Sequence, residues 1–300
     1  MGTTLDARKA GLLRIGDLEV VRLGFGAMRL TGPGIWGEPR DRADARKVLQ
    51  RAVELGVTFI DTADSYGPRV SEELIAEALY PYPSQLVIAT KGGLLRDGPG
   101  LWRPNGRPEH LRQACEGSLK RLRVERIDLY QFHRIDPNVP LEDSLGTLVE
   151  LQREGKIRHI GVSNFGVDQL ERAQAMARVV SVQNRYNVFD RVSEPVLDRC
   201  EREGLAFLPW APVGGGEELG TLAPIAARHG ATMTQVALAW LLDHSPVMTP
   251  IPGTSSIEHF EENVAAAGLE LSPEETKALD QIALGGTNVV GEVQQSEQTT

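Results

Sequence analysis

From about residue 23 onward, two spacings of apolar residues take turns along the chain. Short apolar, often β-branched runs have the pattern of buried parallel strands. They fall at 23–28, 57–61, 86–91, 127–132, 157–162, 180–183, 205–210 and 247–251. Stretches with apolar residues three and four apart, the stripe of an amphipathic helix, fall at about 41–55, 71–79, 108–123, 141–154, 167–177, 192–203, 233–243 and 256–266. Helix starts are marked by Asp41, by Pro108 behind Arg107, and by Ser272-Pro273-Glu274-Glu275, which opens a further helix. Eight strands alternating with eight helices over short connections predict an α/β fold, a single-domain (β/α)8 TIM barrel over residues 1–284. A doubly wound sheet is the alternative, but it needs a glycine-rich first crossover. In GFGAMRL at 24–30 the last glycine of that fingerprint would fall on Arg29. Ahead of the barrel, LLRIGDLEVVRL at 12–23 reads as a β-hairpin turning at Gly16-Asp17. The polar stretch 285–300 reads as a mobile tail.

Composition narrows the partners. The 300 residues carry a formal charge of -9, which argues against a nucleic-acid or anionic membrane surface, since either calls for a basic patch. No apolar run approaches the roughly 18 residues of a membrane span. Residues 1–10 lack the apolar centre of a signal peptide, so a cytoplasmic location is expected. Cys115 and Cys200 have neither CxxC nor metal-ligand spacing and read as buried thiols; no metal site is expected.

In a barrel, reactive groups gather where strands end on the carboxyl side. Asp61 closes the second strand in GVTFIDTADSYG at 56–67, with Tyr66 five residues on; Lys91 closes the third (LVIATK) and His133 follows the fourth (DLYQFH). Each has an ordinary structural reading, as a turn cap, an ion-pair partner or a hydrogen-bonded strand end. Converging from three successive strands, they make a proton-delivery device. A phenol, with a pKa of about 10, is a poor acid near neutrality unless a cation stabilises its anion. Lys91 supplies that cation, Asp61 holds the lysine, and His133 orients a carbonyl oxygen beside Tyr66. Protonation of oxygen implies hydride arrival at carbon, hence a nicotinamide.

These motifs, with IGVSNF at 160–165, VQNRYN at 182–187 and IPGTSSIEHFEENV at 251–264, resemble the aldo-keto reductases over nearly the whole chain. The resemblance implies a (β/α)8 barrel that reduces aldehydes or ketones with NADPH or, less often, NADH. It implies that Tyr66 is the general acid, tuned by Lys91 and Asp61, with His133 positioning the carbonyl. Cofactor contacts are expected at Ala27 and Met28, at the end of the first strand. Ser163, Asn164 and Gln183 are expected to hold the carboxamide, and Trp210 to stack on the nicotinamide. Ala211, Pro212, Val213 and Gly214 resemble the small-residue loop that crosses the pyrophosphate. Gly253, Thr254, Ser255, Ser256, His259, Glu262 and Asn263 match the adenosine end. There the chain departs from the family's pattern, with Gly253 where many NADPH-preferring members have lysine and His259 where they have arginine. NADPH is still expected, with the 2′-phosphate met by hydroxyls, N–H groups and His259.

Trp36 and Trp102, in loops beyond the first and third strands, are candidates for the substrate pocket or for loop anchors. GPGIWGEPRDR, EALYPY and IPGTSS are similar to a bacterial branch that includes pyridoxal reductases, which suggests a pyridoxal-type aldehyde. Two other functions use the same barrel. A lyase would use Lys91 as a Schiff-base amine, and a cofactor-bound redox sensor or regulatory subunit would need no turnover.

Overall fold

The computed structural model describes residues 5–285. The chain opens with the expected hairpin, β1 (Leu12–Ile15) and β2 (Leu18–Val21), with Leu12 opposite Val21 and Ile15 opposite Leu18. Ile15, Leu18 and Val20 form one apolar cluster with Phe59, Val87, Leu129, Val180 and Leu208, which closes the amino end of the barrel. Asp17 at the hairpin turn is held by Arg158 at 2.8 Å and by His159.

The barrel then follows in order: β3 (Phe25–Gly26), α1 (Arg42–Glu54), β4 (Phe59–Asp61), α2 (Val70–Leu79) and β5 (Val87–Gly92). A second antiparallel hairpin, β6 (Leu94–Gly98) and β7 (Leu101–Pro104), interrupts the alternation before α3 (Pro108–Leu122). The alternation resumes with β8 (Ile127–Phe132), α4 (Leu141–Arg153), β9 (Ile157–Ser163), α5 (Val167–Gln174), β10 (Val179–Gln183), α6 (Glu194–Glu203) and β11 (Ala206–Phe207). Four helices end it: α7 (Ala223–His229), α8 (Met233–His244), α9 (Ile257–Ala265) and α10 (Pro273–Gly285). The parallel strands are ordered β3-β4-β5-β8-β9-β10-β11.

The eighth strand expected at 247–251 closes the barrel without forming a regular ladder. Phe207 donates to Val247 O (2.8 Å) and accepts from Thr249 N–H (2.9 Å); on the other side, Gly24 and Gly26 donate to Pro250 O (3.0 Å) and Pro252 O (3.2 Å). The two prolines have no N–H to return, so the seam facing β3 is bonded in one direction only. The expected strand at 23–28 is observed only at Phe25–Gly26, and the chain passes at Ala27 into a 3-10 turn, Ala27–Leu30.

Helix starts follow the sequence signals. Asp41 accepts from Ala43 N–H (2.7 Å) and Asp44 N–H (3.0 Å), and Pro108 occupies the first turn of α3; an N-cap of this kind contributes about 1 kcal/mol. α7 and the β6–β7 hairpin were not anticipated: the first is only seven residues long, and the second lies where a loop was expected. Cys115 and Cys200 are free and buried, and burial pushes both thiols up to about 12. Among the described residues no helix is long and apolar enough to cross a membrane, and no cluster of three or more His, Cys, Asp or Glu could hold a metal. The tail expected at 285–300 lies, beyond Gly285, outside the described residues.

Candidate active site

Strand alternation decides which side chains meet at the carboxyl end. Phe59, Val87, Ala89 and Leu129 point into the barrel. With a period of two, the next inward positions are Asp61 on β4, Lys91 on β5 and Gln131 on β8, with His133 two further on. Lys91 is fully buried, and its Nζ donates to Asp61 Oδ2 (2.6 Å), Thr62 O (2.9 Å) and Tyr66 Oη (3.2 Å). An ammonium has three donors, so all are used. Asp61 Oδ1 accepts from Gln131 Nε2 (2.9 Å) and Gln183 Nε2 (2.8 Å). Gln131, which the sequence reading passed over, is therefore part of the cluster. Its signal was available, as a glutamine two residues before His133 on the same face of a buried strand.

Burial alone would push the Lys91 ammonium down, but Asp61 and Tyr66 outweigh it and hold it above its ordinary value. A lysine kept charged, with every N–H bonded, is not a Schiff-base nucleophile. Burial also raises the Tyr66 phenol; Lys91 pulls the other way without prevailing. Lys91 thus acts on Tyr66 in the expected sense, but burial sets the net direction: a phenolate loses more by leaving water than it gains from a cation already paired with Asp61 at 2.6 Å. His133 lies well below the ordinary imidazole value, first through burial and then through Lys91, Arg134 and Arg96. It is a neutral ring, edge-on to Tyr66 at 5.9 Å between centroids, with Nδ1 3.5 Å from Ser65 Oγ.

Beside this cluster, the residues expected at the carboxamide bond to one another. Ser163 Oγ donates to Gln183 O (2.9 Å); Asn164 Nδ2 donates to Ser163 Oγ (3.0 Å) and His133 O (3.1 Å); Trp210 Nε1 donates to Asn164 Oδ1 (3.1 Å). Asn164 takes φ +60, a left-handed conformation asparagine tolerates. Gln183 spends its amide hydrogens on Asp61 and on Gln131 Oε1 (3.3 Å), which leaves its carbonyl oxygen. The remaining capacity is mainly acceptor, which suits the N–H2 of a carboxamide. Trp210 is half-buried, with the Arg185 guanidinium 5.7 Å from its ring.

Farther out, Pro212 is buried, Ala211 and Val213 are half-buried, and Gly214, at φ +72, is exposed. Ala27 is buried with its carbonyl bonded to Ser71 Oγ (3.2 Å), and Met28 is half-buried. Ser256 caps α9, accepting from His259 N–H (3.2 Å), and Thr254 Oγ1 accepts from Ser256 N–H (3.1 Å). Ser255 and His259 are exposed, Glu262 is half-buried and Asn263 is buried. The departure at Gly253 has a steric cause. A Cβ there would lie 2.5 Å from Gly26 O, and one on Gly26 would lie 2.6 Å from Ile251 O. No lysine fits at 253 on this backbone. The side chain alongside is Arg29, whose Cγ is 3.6 Å from that Cβ position; it is exposed and has no carboxylate partner among the described residues.

Trp102, on β7, packs edge-on against Tyr66 (6.3 Å) and His133 (6.4 Å). Trp36, half-buried, lies 5.8 Å from the Arg96 guanidinium, and its backbone bridges to Gly67. Of the two tryptophans, Trp102 is the one beside the cluster.

Known proteins resemble this chain in sequence and fold. The chain is 50% identical over 282 residues to an uncharacterized oxidoreductase of Schizosaccharomyces pombe, covering 93% of this chain and 92% of that one. It is 43% identical over 277 residues to pyridoxine 4-dehydrogenase of Escherichia coli, covering 90% and 97%. A solved aldo-keto reductase from Klebsiella pneumoniae in complex with NADPH superposes with a TM-score of 0.75 at 25% identity, over 91% of this chain and 94% of that one. The profile of the Aldo/keto reductase family matches residues 22–284. That span runs from the first barrel strand to the last helix and takes in every residue of the cluster, so the chain belongs to the aldo/keto reductase family and is an oxidoreductase.

Proposed function

We propose that the chain reduces an aldehyde or ketone to an alcohol with NADPH, Tyr66 giving the proton, and that a pyridoxal-type aldehyde is among its substrates. The observation that carries this is the single Lys91 Nζ bridging Asp61 Oδ2 at 2.6 Å and Tyr66 Oη at 3.2 Å. When bound, the reduced nicotinamide supplies hydride to the carbonyl carbon. Tyr66 keeps its proton through neutral pH because burial holds the phenol up, and it passes that proton to the carbonyl oxygen as negative charge grows there. An alkoxide is the stronger base, so the raised phenol still transfers downhill. Lys91 then faces the phenolate, and Asp61, braced by Gln131 and Gln183, keeps Lys91 in place. His133, neutral, orients the carbonyl by hydrogen bonding without competing as an acid.

The donor set fits the cofactor. Gln183 Oε1 and the Ser163–Asn164 pair would hold the carboxamide, with Trp210, tied to Asn164 at 3.1 Å, beside the ring. The loop 211–214 would pass the pyrophosphate. Thr254, Ser255 and the α9 N-terminus would meet the adenosine phosphate, with Arg29 supplying the cation that Gly253 cannot carry. Pyridoxal is favoured by the 43% identity to a pyridoxine 4-dehydrogenase and by the aromatic surroundings of Tyr66. The test is loss of NADPH absorbance with purified protein and a panel of aldehydes including pyridoxal, run in parallel with NADH. Turnover of pyridoxal faster with NADPH is expected; no aldehyde-dependent loss with either cofactor, despite tight cofactor binding, refutes the reading.

A further inference from the structure

The β6–β7 hairpin stands outside the barrel's alternation, and one side chain fastens it. Arg96 directs all five of its N–H groups at backbone carbonyls. Nη2 donates to Gly34 (2.7 Å) and Gly98 (3.3 Å), Nη1 to Ile35 (2.8 Å) and Ser65 (3.2 Å), and Nε to Leu101 (3.1 Å). The acceptors belong to three segments: the loop after β3, the loop after β4 that carries Tyr66, and the turn of the hairpin itself. No carboxylate pairs with Arg96 among the described residues. Its guanidinium lies 3.6 Å from the Trp102 ring centroid, and Trp102 in turn packs on Tyr66 and His133.

Two features separate this arrangement from an ordinary surface arginine. Ile35, one of the bonded residues, sits at φ +56, a left-handed conformation that a β-branched residue resists, so the loop needs its fastening. Arg96 also has no donor left for a ligand, which excludes direct substrate binding. Its planar fork is what lets it hold three segments and stack on an indole at once; lysine, with a point charge and no plane, cannot.

We propose that Arg96 is a positioning residue that sets carbonyl specificity. By clamping the hairpin onto the Tyr66 loop, it holds Trp102 as the wall against which a flat aromatic aldehyde lies, in preference to an aliphatic one. The proposal rests on carbonyl reduction at Tyr66 and names the substrate class for that site.

Arg96→Lys, Trp102→Leu and the double variant are compared for kcat and KM with benzaldehyde and butanal, for NADPH Kd, and for amide hydrogen exchange across residues 93–104. Arg96→Lys should raise KM for benzaldehyde about tenfold while kcat, the butanal KM and NADPH Kd stay within about twofold. In the Trp102→Leu background the same change should add almost nothing, because both act through one wall. Exchange should quicken across the hairpin. Equal losses with both aldehydes, or additive effects, would overturn the specificity role; unchanged exchange would overturn the clamp. If the unaltered protein reduces neither aldehyde nor pyridoxal, carbonyl reduction itself fails, and the exchange measurement alone decides whether Arg96 fastens the hairpin.

Discussion

Replacing Tyr66 by phenylalanine removes one oxygen and one proton from a ring that otherwise keeps its contacts with Trp102 and His133. The structural cost is bounded by what the oxygen does, which is to accept one N–H of Lys91 at 3.2 Å. Lys91 retains Asp61 at 2.6 Å and Thr62 at 2.9 Å, so the loss of stability should be about 1–2 kcal/mol, one charge-assisted bond at the weak end of its range. The catalytic cost is larger. A positioned general acid contributes about 10²–10⁴-fold, or about 2.7–5.4 kcal/mol at 1.36 kcal/mol per decade. No neighbour can take over, since His133 is neutral and Lys91 is held charged above its ordinary value, so the loss belongs in the upper half of that range. The expected result is a fall in kcat of about 10³-fold or more, read from NADPH absorbance with pyridoxal, with NADPH Kd from protein fluorescence unchanged within about twofold. A folded Tyr66→Phe protein with kcat within about tenfold of the unaltered one would refute the assignment of Tyr66 as the acid.

Lys91→Met should cost far more stability than Tyr66→Phe, about 3–5 kcal/mol by urea denaturation, because it leaves Asp61 Oδ2 buried without its donor; a loss below about 1 kcal/mol would mean the pair is not formed. His133 stays neutral when folded but takes a proton near pH 6.5 when unfolded. The unfolded state therefore binds more protons below that value, and stability falls as pH drops through about 6.5 and lower. His133→Asn should flatten that part of the stability–pH curve, and a curve of unchanged slope would contradict the buried neutral ring. Arg29→Ala should weaken NADPH about tenfold or more, the size of one charge-assisted phosphate contact, and leave NADH within about twofold; equal weakening of both would place Arg29 on the pyrophosphate.

Much of the molecule was legible because local patterns repeat. β8 was read at its observed bounds, and α1, α3 and α4 within a residue or two. Asp61, Lys91 and His133 can be located from the sequence, since a strand's last residues face the barrel mouth wherever the strand ends. Shortfalls came where local pattern and tertiary bonding part. Residues 247–251 look like a strand, yet Pro250 and Pro252 leave the side facing β3 bonded in one direction only. Residues 93–104 look like a loop, yet they pair as a hairpin, and Arg96 bonds it to carbonyls 62 and 31 residues away.

By itself the sequence determined the barrel, its hairpin plug and the chemical types at the strand ends, because hydrophobic period and strand alternation are properties of neighbouring residues. Tertiary structure decided what depends on distance and dielectric. It decided that Gln131 and Gln183 both brace Asp61, that burial raises the Tyr66 phenol against the pull of Lys91, and that Gly26 O excludes any side chain at 253. Each of these balances a field or a contact between residues far apart in the chain, and no local pattern carries that balance.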